Sequence, residues 1–186
     1  MTSVWLSESP PFPASADLPT ATDVVIVGAG IAGVATALHL ATQGVGVTVL
    51  EQGEVACRAS GRNDGQLLLG LGEHYHRIHG QFGAERARQL WDFLRDNHDA
   101  LRAALAAHGI ECGLDRSGGL RLAETPHEWT ELQQAAELLA AEGKQHELVP
   151  TGEVSRWLPG GAGFHGALHL PGEAIVQPVD MVRGLA

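Results

Sequence analysis

The chain has 186 residues, 44% of them apolar, which is enough for one domain and part of another. Acids outnumber bases 22 to 12, and the formal charge of -10 leaves no basic stripe to neutralise phosphates, so nucleic acid is excluded as an expected partner and anionic membrane surfaces would repel the chain. No apolar run approaches the length of a membrane span, and Cys57 and Cys112, the two cysteines present, fit a reducing cytoplasm rather than a disulfide framework.

In chain order, residues 1–22 form a leader. It lacks the basic and apolar regions of a secretory signal, and Pro10, Pro11, Pro13 and Pro19 predict an extended strap over a surface. The run from Asp23 to Glu51, DVVIVGAGIAGVATALHLATQGVGVTVLE, predicts strand, glycine turn, helix, strand and acid. Val24, Val25, Ile26 and Val27 are a β-branched run suited to a strand buried on both faces of a parallel sheet. Gly28 makes the tight turn, Gly30 lets the backbone approach a pyrophosphate, and Gly33 lets the next helix pack against the strand. That helix aims its free N–H groups and positive dipole end at the phosphates. Ala35, Ala37, Leu38, Leu40 and Ala41 suit its buried face, and Gly44 ends it. Val45, Val47, Val49 and Leu50 give the second strand. Glu51, 18 residues after Gly33, stands where a carboxylate accepts hydrogen bonds from a ribose. An ordinary βαβ unit with incidental glycines does not need three glycines and an acid in register, so the run predicts a dinucleotide site.

The next stretch, QGEVACRASGRNDGQLLLG, is kept irregular by Gly53, Gly61, Gly65 and Gly70, and Ser60, Arg62, Asn63 and Gln66 add hydrogen-bonding groups. Elsewhere such a stretch reads as a solvated loop. Directly after the ribose acid it points to a flavin, which needs many backbone and small polar contacts. A nicotinamide-dependent dehydrogenase needs no such loop.

Further on, Ala84 to His108 predicts a helix with a core stripe of Ala87, Leu90, Trp91, Leu94, His98, Leu101 and Leu105, stopped by Gly109. Leu114 to Ala123 is strand-like, with a turn or bulge at Gly118 and Gly119. Thr125, Pro126 and Glu128 supply a cap, a first-turn proline and a capping-box acid for a helix carrying Trp129, Leu132, Ala136 and Leu139 and ending near Gly143. A Pro/Gly-rich stretch follows over residues 150–163, then a predicted strand from Ala167 to Leu170, and a final helical start from Val179.

These motifs give the chain a family likeness. It resembles the N-terminal half of the FAD-dependent amino-acid and amine oxidoreductases, the D-amino-acid oxidase superfamily, and within it the γ-glutamylputrescine oxidoreductase-like branch. The SVWL leader at Ser3 to Leu6, GAGIAG with Glu51, and ASGRNDGQ from Ala59 to Gln66 carry the resemblance, with GIECGLDRSGGLRLAET and ALHLPGEAIVQPVDMVRGLA extending it. It implies an α/β fold: an FAD-binding Rossmann-like, glutathione-reductase-type βαβ with the beginning of an α+β substrate domain, truncated after it. The implied organisation is a leader (1–22), the N-terminal part of an FAD-binding domain (23–108), part of a substrate domain (109–175) and the start of a return to the FAD-binding domain (176–186). It also implies that Gly28, Gly30, Ile31 and Gly33 contact the diphosphate of a non-covalent FAD, that Glu51 contacts the adenosine ribose with Gln52 flanking it, and that Ser60, Gly61, Arg62, Asn63, Gly65 and Gln66 line the way to the flavin. Asp64 departs from the branch, which has glycine there. A carboxylate at that position removes a permissive φ and, if close and dry, lowers the flavin potential.

Ten histidines invite a metal, and Glu73, His74, His76 and His79 are the densest set. On a helix His74 and His76 would point about 160° apart and could not share an ion, so no metal is expected. No catalytic residue is assigned in this half. The expected activity is oxidation of the C–N bond of a small amine or amino acid in the cytoplasm. The alternative is a non-catalytic fragment or interaction module that keeps the dinucleotide signature, and an isolated fragment is expected to bind FAD weakly or not at all.

Overall fold

The computed structural model describes residues 3–13, 15, 17–160 and 163–186; residues 161 and 162 of the Pro/Gly-rich stretch, and 1, 2, 14 and 16 of the leader, lie outside the described residues. The principal elements are α1 (Val4–Glu8), β1 (Val24–Val27), α2 (Ile31–Ala41), β2 (Val47–Leu50), α3 (Tyr75–Phe82), α4 (Ala84–Ala107), β3 (Gly119–Ala123), α5 (Pro126–Ala141), β4 (Glu147–Pro150), α6 (Val154–Trp157), β5 (Gly166–Leu170) and α7 (Pro178–Leu185). They form two compact units. The first comprises Met1–Gln66, Leu101–Leu114 and Val176–Ala186, and the second Leu67–Ala100 and Asp115–Ile175.

In the first unit β1 and β2 pair in parallel, with Val24 opposite Val47 and Val27 opposite Leu50, and α2 makes the crossover between them. This is the predicted βαβ unit. Two details differ from the expectation. Val25 is 53% exposed and Val27 86%, so β1 is covered on one face and not both: α2 lies over the Ile26 side, and no second layer covers the other side among the described residues. On α2 the buried residue is Val34, with Ala37, Leu38 and Leu40 half-buried and Ala35 and Ala41 exposed. The rotation of α2 is fixed by the contact of Gly33 with the turn, and positions three and four residues on from Gly33 and Val34 then face the sheet. Val45 stands just before β2, and its N–H caps the helix end by bonding Leu40 O at 3.1 Å.

The leader is not extended throughout, because Val4–Glu8 form a short helix. The indole N–H of Trp5 donates to Asn63 O, which pins that helix to the glycine-rich loop. At the other end of the chain α7 starts where the sequence gives Gln and then Pro. The Gln177 side chain accepts from the N–H groups of Val179 and Asp180, and Pro178 occupies the first turn, where no donor is needed. Val179, Val182 and Leu185 are buried in this unit.

The second unit is an antiparallel sheet with β5 central, β3 and β4 on its two sides, and helices packed against it. Period-two alternation divides β5 between two layers. Leu168 and Leu170 join Leu132, Ala136 and Leu139 of α5, together with Tyr75, Ile78, Ala87 and Trp91. Ala167 turns the other way, towards Val149, Val154 and Leu122. The helix α5 begins with the predicted capping box: Thr125 Oγ1 accepts from Glu128 N, and Glu128 Oε2 accepts from Thr125 N at 3.0 Å. The stripe from Ala87 to Leu94 on α4 is buried or half-buried as predicted. His74 stands at the N-terminal boundary of α3 without a side-chain capping bond, and His76 lies 3.6 Å from Glu131 on α5.

One ion pair in this unit has no forerunner in the sequence pattern. The Glu173 side chain is 1% exposed, and its Oε1 accepts from Arg121 Nη2 at 2.7 Å and from Leu69 N at 3.0 Å. Arg121 also donates to the carbonyls of Leu69 and Glu73, so one guanidinium ties β3 to the segment before α3. Removing Glu173 takes the counter-ion from the Arg121 guanidinium and the acceptor from Leu69 N. Glu173→Ala is expected to destabilise this unit by about 3–5 kcal/mol, read as a lower urea midpoint with an unchanged slope.

Candidate functional site

The candidate site lies wholly in the first unit, where β1 ends and α2 begins. Gly28 has φ +103°, a conformation that glycine adopts freely, and its N–H bonds Leu50 O at 2.7 Å, which closes the turn against β2. A Cβ on Gly28 would meet no atom within 4 Å, so the turn presents open space there. A Cβ on Gly33 would lie 2.0 Å from Gly28 O and 3.3 Å from Ile26 Cγ2, so glycine alone lets α2 seat on the turn and strand. At Gly30, which caps α2, a Cβ would come 3.0 Å from Ser60 Oγ. Ser60 Oγ itself accepts from Ile31 N at 2.9 Å, taking one of the donors that the first turn leaves over. Ala32 and Gly33 occupy the next two positions, whose N–H groups an α-helix cannot satisfy internally.

Glu51 does more than the sequence suggests. Its Oε2 accepts from Ala29 N at 2.9 Å and its Oε1 from Gly53 N at 2.8 Å, so the carboxylate bridges the glycine turn and the turn that follows β2. The Ala29 bond, then the Gly53 bond, holds this carboxyl below the usual carboxylate range against the opposing effect of partial burial. A carboxylate has about four acceptor positions, so two backbone bonds leave capacity for a ribose diol.

The ASGRNDGQ loop is folded by its own side chains. Residues 59–61 make one 3₁₀ turn. Asn63 Nδ2 donates to Ser60 O at 3.0 Å and its Oδ1 accepts from Gly65 N at 2.9 Å, while Arg62 Nε donates to Cys57 O at 3.0 Å. Gly65 has φ +73°, and its O accepts from Val176 N at 2.9 Å. Gly61 is buried against Ala56 O and Val179. Asp64, the departure from the branch pattern, is exposed, its φ is not positive, and its Oδ1 accepts from Gln66 N. The left-handed residue is Gly65, so aspartate at 64 strains nothing, and its charge faces water rather than a dry interior.

The structure therefore brings Gly28, Gly30, Ile31, Gly33, Glu51 and Ser60 together. Gly61 and Gly65 serve the packing of the loop on Val176 and α7. The side chains of Gln52, Arg62, Asn63 and Gln66 are exposed beside the turn. Sequence reasoning missed the contribution of residues 176–179 to this loop. The signal was Gln177-Pro178 ahead of an apolar helical run, a capped helix start.

The depressed Glu51 carboxyl gives its contribution a sign. A carboxyl ionised more easily when folded stabilises the unit above its ordinary value of 4.5, and that stability is lost as pH falls through the lower folded value. Glu51→Gln keeps one acceptor and loses the other. The variant is expected to melt lower than wild type at neutral pH, and the difference should shrink as the pH falls from 4.5 through the lower folded value, which thermal scans across pH measure.

The family described as FAD dependent oxidoreductase (DAO) matches residues 23–186. γ-Glutamylputrescine oxidoreductase of Escherichia coli (strain K12) is 31% identical over 165 residues, covering 88% of this chain and 38% of that protein. Glycine oxidase from Geobacillus kaustophilus superposes with a TM-score of 0.68 at 26% identity, over 89% of this chain and 43% of that one. L-Amino acid deaminase from Proteus myxofaciens, in complex with anthranilate, gives a TM-score of 0.72 at 24% identity over 94% and 38%, a likeness of fold. The chain thus spans less than half the length of these relatives. With nearly everything after its leader matched and the glycine turn, bridging acid and polar loop in place, the chain belongs to the FAD-dependent oxidoreductase family.

Proposed function

We propose that this chain supplies the dinucleotide-gripping half of an FAD-dependent enzyme that oxidises the C–N bond of a small amine or amino acid. The observation that carries the reading is the side-chain-free turn from Gly28 to Gly33, held shut by Gly28 N–H on Leu50 O and braced by Glu51. The residues present fit the group: space is open at Gly28, donors face out from the first turn of α2, and a hydroxyl waits beside them on Ser60.

In this reading Gly28, Gly30, Ile31 and Gly33 admit the diphosphate. Glu51 takes the adenosine ribose hydroxyls on acceptor positions left over from its two backbone bonds, and Gln52 flanks the adenosine. Ser60 can turn its proton towards a phosphate while its lone pair stays on Ile31 N–H. Gly61, Arg62, Asn63, Gly65 and Gln66 line the way to the flavin; Asn63 shapes that stretch, and the exposed guanidinium of Arg62 offers charge-assisted donors. When bound, FAD supplies a two-electron acceptor for hydride from the carbon bearing nitrogen, the imine product is hydrolysed by water, and oxygen or another acceptor restores the oxidised cofactor. The chain's own contribution is binding and orientation, and no side chain in it is assigned to the chemistry.

The domain assignment proposed with it is leader 1–22, FAD-binding 23–108, substrate-binding 109–175, and a return to the FAD-binding part over 176–186, although residues 67–100 pack in the second compact unit with 115–175. Likeness to proteins named γ-glutamylputrescine oxidoreductase and glycine oxidase supports a small amine or amino acid as substrate. No described helix is long and apolar enough to cross a membrane; with two free thiols the cytoplasm is the compartment we propose.

The test is FAD titration of the intact gene product. Saturable binding with a visible flavin spectrum is expected, along with bleaching of that spectrum by an amine or amino acid from a panel under anaerobic conditions. Gly30→Val suits the Gly30 backbone, which is extended at φ -80° and ψ 178°, yet fills the approach beside Ser60. It is expected to weaken FAD binding at least about tenfold, or about 1.4 kcal/mol, with the fold retained by circular dichroism. Absence of flavin uptake by wild type, or uptake undiminished in the variant, would overturn the reading.

A further inference from the structure

The leader is tied to the glycine-rich loop and to α7 by polar bonds that a surface strap would not need. Trp5 Nε1 donates to Asn63 O at 2.8 Å. Asn63 is the residue whose side chain bonds Ala59 O, Ser60 O and Gly65 N, so the carbonyl that Trp5 grips belongs to the centre of the loop. The carbonyl of Trp5 in turn accepts from Gln177 Nε2 at 3.0 Å, and the same nitrogen donates to Ser9 Oγ. Arg183 on α7 has a side chain only 8% exposed, and it donates to Pro10 O, to Val55 O and to the Glu54 carboxylate. The leader, the loop after β2 and α7 thus meet through a chain of bonds: Asn63 O to Trp5, Trp5 O to Gln177, and Pro10 O to Arg183.

Apolar burial here is partial: in α1 Trp5 and Leu6 are half-buried and no residue is fully buried. A helix of five residues is too short to be stable by itself. Residues 4–10 are held by the half-buried Trp5 and Leu6 together with the bonds to the loop and to α7, and by the same bonds the leader restrains them. Conversely, a free Asn63 carbonyl would leave the loop one anchor short on its exposed side.

We propose that Trp5 is a positioning residue for the cofactor: its indole N–H fixes the Asn63 carbonyl, so that docking of residues 4–10 pre-orders the loop from Ala59 to Gln66, and FAD binding and leader docking reinforce each other. The proposal rests on the FAD function proposed for the chain and adds a reciprocal coupling between two segments, one of which does not touch the cofactor. Pre-ordering lowers the entropy lost when the loop closes on its ligand.

The test uses the intact gene product and two variants. Trp5→Phe keeps an aromatic ring and removes the donor. Gln177→Glu keeps the acceptor that caps α7 and removes the amide donor to Trp5 O. Trp5→Phe is expected to weaken FAD binding about three- to tenfold, the effect of one hydrogen bond, and Gln177→Glu, which loses the bonds to both Trp5 O and Ser9 Oγ, at least as much. Hydrogen exchange gives a readout independent of activity. In FAD-free protein, amides of residues 59–66 should exchange faster in both variants than in wild type, and in wild type FAD should slow exchange in residues 4–10. Equal affinity and equal exchange in wild type and Trp5→Phe would overturn the coupling while leaving the FAD function intact. A wild type that takes up no FAD would overturn both, and is told apart because no variant is then needed.

Discussion

The first unit depends on one close approach. The backbone of α2 at Gly33 lies so near the Gly28 carbonyl and Ile26 that a single methyl group would occupy the same space. That contact sets the angle at which α2 leaves the turn, the rotation that buries Val34, and the direction in which its first N–H groups point. A helix N-terminus is useful to an anion only when it is aimed. Here the aim comes from the absence of side chains at the turn rather than from any side chain in it, and this is why one glycine governs both packing and the candidate site.

Around that turn the polar groups serve the fold and leave something over. Glu51 ties the glycine turn to the segment after β2 with two backbone bonds, yet a carboxylate has further lone pairs. Ser60 accepts from Ile31 N–H and keeps its own proton. Asn63 uses its amide on neighbours within the loop, and its carbonyl goes to Trp5. A site built in this way is ordered before a ligand arrives, so less binding free energy is lost to ordering it. The Ala29 bond, then the Gly53 bond, holds the Glu51 carboxyl below the usual carboxylate range. Its depressed pKa is first a statement about the fold and second a candidate mark of function.

What the sequence made legible follows from local physics. The β-branched run, the spaced glycines and the acid foretold β1, α2, β2 and the turn, because strand, turn and helix period are encoded within a few residues of one another. The Thr125 to Glu128 box foretold the start of α5 for the same reason. The failures are those of burial and of distance. Val25 and Val27 have the composition of a doubly covered strand and are exposed, because burial is decided by a layer that composition does not supply. Ala35 and Ala41 fit an apolar helix face, but the contact at Gly33 turned that face away. The short helix Val4–Glu8 carries no local signal strong enough to predict it; its bonds to Asn63 and Gln177 are tertiary. The Arg121–Glu173 pair joins residues 52 apart and has no periodic trace. Asp64 shows the reverse case: a departure from a motif proved harmless once the geometry located the left-handed residue one position further on.

The candidate site is therefore local in its motif and non-local in its support. The glycine turn and Glu51 lie within one βαβ unit, but the loop beside them is closed by residues 176–179 and gripped by residue 5. Bringing α7 to Gly61 and Gly65 closes a loop of more than 100 residues, and such closure is entropically costly and slow relative to forming the βαβ unit itself. The turn can form early from its own sequence, while the loop acquires its shape only when the end of the chain has docked. A ligand that touches both turn and loop, as the proposed FAD would, then favours the docked state over every partly folded one. Binding and completion of the first unit become a single linked equilibrium, in which the cofactor contributes to the stability of the segments that hold it.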